Sequence, residues 1–331
     1  MKRIILLIIP LLLLTGCQKE SSSNVVNVLN WSSYIPDTVL RDFEKEYNIK
    51  VNYTTYSSNE ELLAKITSAR QGTYDVIFPS DYMVELLIQK KLIQKLDKTK
   101  LSNSQNINNT FLNQTYDMSN DYSLPFLTTI VVIAVNKDHV QDNIKSYKDL
   151  LNKKYKNNIV IIDDQRIVIG MALLAEGYDM SEVDDIALEN AKNWLLKLKP
   201  NIKAYDSDSP KQFFISEEAD IGVMWHAEAE IAQSENPNIE IIYPSEGHAI
   251  STDNYCITTG SKNTENAYLF INYLMRDDVV QKIIEEYPYV SPVNVKQKSN
   301  VDTFNIFTGG HYVKNIGGDI KKYDKLWAEI K

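Results

Sequence analysis

Cysteine is almost absent from this chain of 331 residues, which has two, Cys17 and Cys256. So few thiols rule out a disulfide framework. Glycine is scarce as well, at 11 residues, and neither GxSxG nor a Gly-rich phosphate loop occurs. The four histidines, His139, His226, His248 and His311, are scattered without HExxH or similar spacing, so no metal or cofactor is expected. Positive charge is in deficit, 35 Lys and Arg against 44 Asp and Glu, which makes nucleic acid a poor partner and leaves a cationic ligand tolerable. No apolar run is long enough to span about 30 Å of hydrocarbon as a permanent helix. Short-period repeats are missing too.

What is present starts with MKRIILLIIPLLLLTGCQKE. Two basic residues, a short apolar run from Ile4 to Leu14 and a small-residue end match an export signal. Leu14-Thr15-Gly16-Cys17 resembles a bacterial lipobox, which implies that residues 1–16 are removed and that Cys17 carries the lipid. At about 0.8 kcal/mol per buried CH₂, several acyl chains hold a protein durably at a membrane surface. Polar residues 17–24 read as a tether. Cys256, in the strand-like YCIT, reads as a buried, inert thiol.

Strand and helix patterns alternate from residue 25. Val25 to Leu29 is a strand, and Asp37 caps a helix that sets Leu40, Phe43 and Tyr47 on one face. Ile49, Val51 and Tyr53 alternate as a second strand; Asn59 caps a helix ended by Gly72; DVIFPS, residues 75–80, is a third strand. A βαβαβ run of this kind builds an α/β fold with a parallel sheet and helices on its faces. After SLPFLTTIVVIAVN (123–136) a second set follows, with strands at NIVIIDD (158–164) and ADIGVMW (219–225). Trp194 shares a helical stripe with Leu188, Ala191, Leu195 and Leu198 and reads as core, as does Trp327.

Ligands of open α/β sheets collect at the carboxyl ends of the strands. Polar and aromatic residues at those ends are Trp31, Ser32, Tyr34, Ser80, Tyr82, Asp164, Trp225, Asp253 and Tyr289. Aromatic faces with a few carboxylates describe a box for an alkyl ammonium ion. A cation over such a ring contributes about 0.5 to 2 kcal/mol, and four buried methylenes contribute roughly 3 kcal/mol more. Carboxylates would fix the two ends of a diamine, which makes micromolar affinity, about −8 kcal/mol, plausible. Asp163 and Asp164, as adjacent strand residues, are expected on opposite faces, so they make no acid/base pair and no enzyme is expected.

NWSSYIPD, TYSSNEELLAKI, YDVIFPSDYMV, IQKLDKTKL, YSLPF, DSDSP, GVMW and AYLFINYLMRDDVV resemble, in order and spacing, the spermidine/putrescine-binding proteins of bacterial ABC importers. The resemblance covers about residues 25–331. It implies a two-lobe periplasmic-binding-protein fold: residues 25–134 with 255–296 in one lobe, residues 135–254 with 297–331 in the other, closing like a hinge. It also implies that Trp31, Ser32, Tyr34, Ser80 and Tyr82 line one face of a polyamine cleft. Asp164, Ser207, Trp225 and Asp253 complete it, with Tyr289 over a methylene segment and Asp164 and Asp253 as amine anchors. The implied protein is a monomer at the cell membrane, facing the periplasm or the exterior, and hands its ligand to an ABC permease.

Three positions depart from the family pattern. Ile167 stands where an acid is frequent, Ser251 where an aromatic is common, and Val313 where a glutamine is frequent. The loss of one carboxylate and one ring favours a diamine such as putrescine, since a third ammonium would lie unpaired. Asp81, Glu60 or His248 are candidates to compensate. The departures leave another organic cation or a small polar solute open as the ligand.

Overall fold

A computed structural model describes residues 24–32, 34–296 and 306–331, so the leader and Cys17 lie outside the described residues. Strands β1 (Val25–Trp31), β2 (Lys50–Tyr56) and β3 (Val76–Ile77) are linked by helices α1 (Asp37–Tyr47) and α2 (Asn59–Ser68). β1 pairs in parallel with both β2 and β3. Val26, Val28 and Leu29 are fully buried beneath the helices, as expected of a parallel sheet covered on both faces.

Helix α3 (Asp81–Gln89) leaves β3, and the chain then enters β4 (Leu124–Asn136). Next come β5 (Ile159–Ile161), α4 (Gln165–Ala175), α5 (Asp185–Leu198), β6 (Ile202–Tyr205), α6 (Lys211–Ile215), β7 (Ile221–Trp225) and α7 (His226–Glu235). The chain closes with β8 (Ile239–Ile242), β9 (His248–Ile257), α8 (Thr264–Leu274), α9 (Asp277–Glu286), β10 (Gly310–Tyr312) and α10 (Ile320–Ile330).

The strands run in the order β2-β1-β3-β9-β4-β7-β5-β6, with β10 on β9 and β8 on β4. β4 is the pivot of this arrangement. Its first half pairs antiparallel with β9, and from Val131 onward it pairs with β7. All of its residues are buried. β9 in turn reaches β3 through Cys256 and Ile257. Two parallel groups, β2-β1-β3 and β6-β5-β7, are therefore joined through two long antiparallel strands. Cys256 is buried and free, and burial pushes its thiol well above the ordinary range, in keeping with an inert group.

Several local expectations shift by a few residues. Asp37 is the first residue of α1 rather than its cap, because Pro36 precedes it and no side chain there bonds the free amides. Ser58, not Asn59, caps α2 by accepting from the Glu61 amide. Asn59 is thereby free to bond Ser80. Helix α2 ends at Ser68, and Gly72 serves the following turn with φ 81°. β5 stops at Ile161, so Asp163 and Asp164 lie in the turn after it. β1 runs on to Trp31. Trp194 is 2 % exposed in the core, and Trp327 packs edge-on against Tyr205. Among the described residues no helix is long and apolar enough to cross a membrane.

α4 holds the Asp164 turn in place and packs on α5 and α10. A side chain at Gly170, within α4, would meet the Met180 carbonyl oxygen at 2.9 Å, so no larger residue fits without moving the helix. Gly170→Val is expected to lower unfolding free energy by about 1 to 3 kcal/mol, read as a reduced midpoint in urea; an unchanged midpoint would show that α4 moves freely.

Candidate ligand-binding site

Parallel strands direct their carboxyl ends toward one edge, and a cavity of about 260 Å³ opens there. That volume lies at the small end of ligand pockets, about 300 to 1,000 Å³, and suits a small solute. Trp31, Ser32, Tyr34, Ser80, Tyr82, Asp164, Ser207, Trp225, Asp253 and Tyr289 all line it. Turns and strand ends of β1, β2, β3, β5, β6 and β7 contribute to a single space.

Asp253 is its best-ordered group. The carboxylate is 3 % exposed and accepts three hydrogen bonds. Tyr34 Oη donates to Oδ2 at 2.7 Å, Ser80 Oγ to Oδ1 at 2.7 Å, and Trp31 Nε1 to Oδ1 at 3.1 Å. Trp31 Nε1 also reaches the Phe78 carbonyl at 3.1 Å. The two aromatics after the first strand are therefore not core filling; their polar ends aim one carboxylate while their rings face the cavity. The Tyr34 and Tyr289 rings meet tilted by 35° with centroids 4.7 Å apart, and Trp31 lies 6.4 Å from Tyr34.

Burial raises Asp253 to about 6, against which the bonds from Tyr34, Ser80 and Trp31 act. Burial likewise lifts the Tyr34 hydroxyl well above its usual range, with the Asp253 charge adding to it. Tyr34 hence stays a proton donor. Asp164 caps α4, its Oδ1 accepting from the Arg166 and Ile167 amides at 2.8 and 3.1 Å. Its carboxyl is also raised, by burial first, with the Ile167 amide opposing. The helix-capping role and a place on the cavity wall coexist, because a cap uses only one carboxylate oxygen.

Asp163 and Asp164 both line the cavity, which corrects the expectation of opposite faces. Strand alternation does not govern residues in a turn. Asp163, though, is exposed and ion-paired to Lys331. The departures Ile167, Ser251 and Val313 all lie on the wall. None of the candidates to compensate for them does. His248 is buried with Nε2 3.0 Å from the Ile306 carbonyl; Asp81 is buried beneath the cavity, accepting from the Tyr82 and Thr252 amides; Glu60 lies 3.7 Å from Arg166.

Sequence reasoning missed Glu228 and Arg166, both on the cavity wall. Glu228 is 7 % exposed and takes Lys211 Nζ on both oxygens, at 2.9 and 2.7 Å. Its signal was one helical turn after Trp225. Ser57, Ser58 and Asn59 on the wall were missed as well, although they follow β2 and the strand-end rule extended to that strand would have found them.

A mixed α/β sheet with a small-solute cavity at the ends of two parallel strand groups defines the class: a substrate-binding protein of the periplasmic-binding-protein fold. Residues 38–301 match the family of bacterial extracellular solute-binding proteins, and the chain belongs to that family. It is similar to the spermidine/putrescine-binding periplasmic protein of Salmonella typhimurium, 33 % identical over 94 % of this chain and 92 % of that one. Among solved structures, the spermidine/putrescine ABC transporter substrate-binding protein of Streptococcus pneumoniae is 29 % identical with a TM-score of 0.79, covering 92 % of this chain and 98 % of that one. The Tp0655 lipoprotein of Treponema pallidum is 26 % identical with a TM-score of 0.86 over 93 % and 99 %.

The raised Asp253 carries a sign that can be tested. The folded chain holds this proton more tightly than an unfolded chain with its value at 3.8, so the group's stabilising contribution is present below 3.8 and is lost as pH rises through about 6. Relative to wild type, Asp253→Asn should gain on the order of 3 kcal/mol between pH 4 and pH 7, measured by urea unfolding. A pH-independent difference would mean that burial does not perturb this carboxyl.

Proposed function

We propose that the chain captures a polyamine outside the cytoplasm and delivers it to an ABC permease, with putrescine preferred over spermidine. The observation that carries this reading is the charge pattern of the cavity. Its carboxylates Asp163 and Glu228 are matched by Lys331 and Lys211, and Asp208 is exposed. Asp164 and Asp253 have no lysine or arginine in ion-pair contact among the described residues. Of the three cavity carboxylates without an ion pair among the described residues, only Asp164 and Asp253 are shielded from solvent, and these two fit a dication. Each would take one ammonium, and the rings of Trp225, Tyr289, Tyr34 and Tyr82 would cover the methylenes between.

The two parallel strand groups act as lobes with the cavity between them, joined through β4 and β9. A ligand that touches both walls favours the closed arrangement by its differential affinity. The permease then takes up the closed form, and no covalent bond is made or broken. Ile167 and Val313, both apolar, replace polar positions of the family pattern, so a third ammonium would lie desolvated without a partner. The names of the Salmonella and Streptococcus relatives support the ligand class. The lipobox and the Treponema relative's description support lipid anchoring through Cys17 at the outer face of the cell membrane.

Calorimetric titration of refolded, amine-stripped protein with putrescine and then spermidine tests this reading. Stoichiometric binding at micromolar concentration or tighter is expected, stronger for putrescine; silence with both amines would overturn it. Asp253→Ala should weaken putrescine binding by about 2 to 5 kcal/mol. Since an ammonium needs the ionised carboxylate and Asp253 titrates near 6, the dissociation constant should also rise about tenfold from pH 7 to pH 5, with release of a proton on binding. A flat profile would take the amine away from Asp253. Separately, Cys17→Ser should move the protein from the membrane pellet to the soluble fraction of expressing cells, and continued sedimentation would remove the anchor.

A further inference from the structure

Arg166 is out of place in a cavity read as a cation site. It is 9 % exposed and stands on the cavity wall, where a positive charge repels any ammonium drawn to neighbouring Asp164. Its guanidinium nevertheless reaches across the cavity. Arg166 is the second residue of α4, which follows β5, whereas Tyr82 and Glu60 are the second residues of α3 and α2, which follow β3 and β2. The guanidinium lies 4.3 Å from the Tyr82 ring centroid, and Nε lies 3.7 Å from Glu60 Oε1. Tyr82 Oη is in turn 3.4 Å from the same Glu60 oxygen.

The quality of these contacts matters as much as their direction. Nε is buried and makes no hydrogen bond among the described residues, so its contacts with Tyr82 and Glu60 are ring stacking and charge rather than a directed bond. Cation–ring and through-space ionic contacts tolerate ångström-scale sliding that would break a bidentate hydrogen bond. They suit walls that separate and meet again. A guanidinium also stacks on an aromatic face better than an ammonium does.

We propose that Arg166 is a cross-cleft clasp: a positioning residue that ties the α4 wall to Tyr82 and Glu60 of the opposite wall with the protein's own atoms, biasing the cleft toward closure before any amine enters. Its effect on affinity runs through closure and opposes the direct repulsion its charge exerts. This rests on the two-lobe reading above, and the ligand it slows from leaving is the amine proposed there.

The experiment compares wild type with Arg166→Gln and Glu60→Gln by small-angle X-ray scattering and by stopped-flow release of putrescine. Without amine, Arg166→Gln should have a larger radius of gyration than wild type, and the difference should vanish at saturating putrescine. Release should be about tenfold faster with association not slowed. Glu60→Gln should act in the same direction to a smaller extent, and because the Glu60 side chain is 51 % exposed it carries the test if Arg166→Gln does not fold. Identical scattering and release in both variants would overturn the clasp, as would slower release and tighter binding in Arg166→Gln, which would make Arg166 a competitor for the amine. If wild type binds no putrescine, the polyamine reading fails while scattering of the amine-free variants still decides the clasp.

Discussion

The site is organised by one buried carboxylate and its three donors. Asp253 sits on β9, one of the two strands shared by both halves of the sheet, and takes bonds from Trp31, Ser80 and Tyr34. An ionised carboxylate at 3 % exposure is tolerable only where donors replace the water it has lost. Those donors come from the turns after β1 and β3, so the need to satisfy Asp253 fixes how these turns meet β9. An isolated bridge between Ser80 and Asp253 extends the sheet to the same point. The aromatic rings that line the cavity are placed as a consequence of where their polar ends must be.

The rest of the cavity shows how a chain with an excess of acid controls the charge it presents. Lysines from α6 and from the C-terminal residue neutralise Glu228 and Asp163, while Arg166 faces Glu60. Apart from exposed Asp208, what remains is a pair of carboxylates, Asp164 and Asp253, held by hydrogen bonds alone among the described residues. Both are raised, first by burial, which is the electrostatic condition that a cationic partner relieves. Attraction for positive charge and a cost of folding at neutral pH both follow from one desolvation.

Much of this was legible in advance, for a reason particular to parallel sheets. Alternating strands and helices force the strand ends to a common edge, so Trp31, Ser80, Trp225 and Asp164 could be grouped without knowing any distance. Errors were local and had local causes. Asn59 looked like a cap because Asn is a common one, yet Ser58 one place earlier satisfied the amide and released Asn59 to Ser80. Asp163 was assigned the wrong face because a strand reading ran three residues past the end of β5. Glu228 and Arg166 were passed over since charged residues in the first turn of a helix are ordinarily solvated, and only the packing of distant segments buries them.

By itself the sequence determined the α/β class, the succession of strands and helices, the scarcity of cysteine, and the set of residues available at the strand ends. These depend on periodicity and residue type, which act over a few positions along the chain. Only the tertiary structure decided which acids are neutralised from within, that Trp31 and Tyr34 serve Asp253 by hydrogen bonds as well as by their rings, and that Arg166 reaches the opposite wall. Pairings of this kind join residues tens to hundreds of positions apart, such as Tyr34 with Asp253, 219 positions away. They are set by how β4 and β9 bring the two halves together, a geometry that no local pattern encodes.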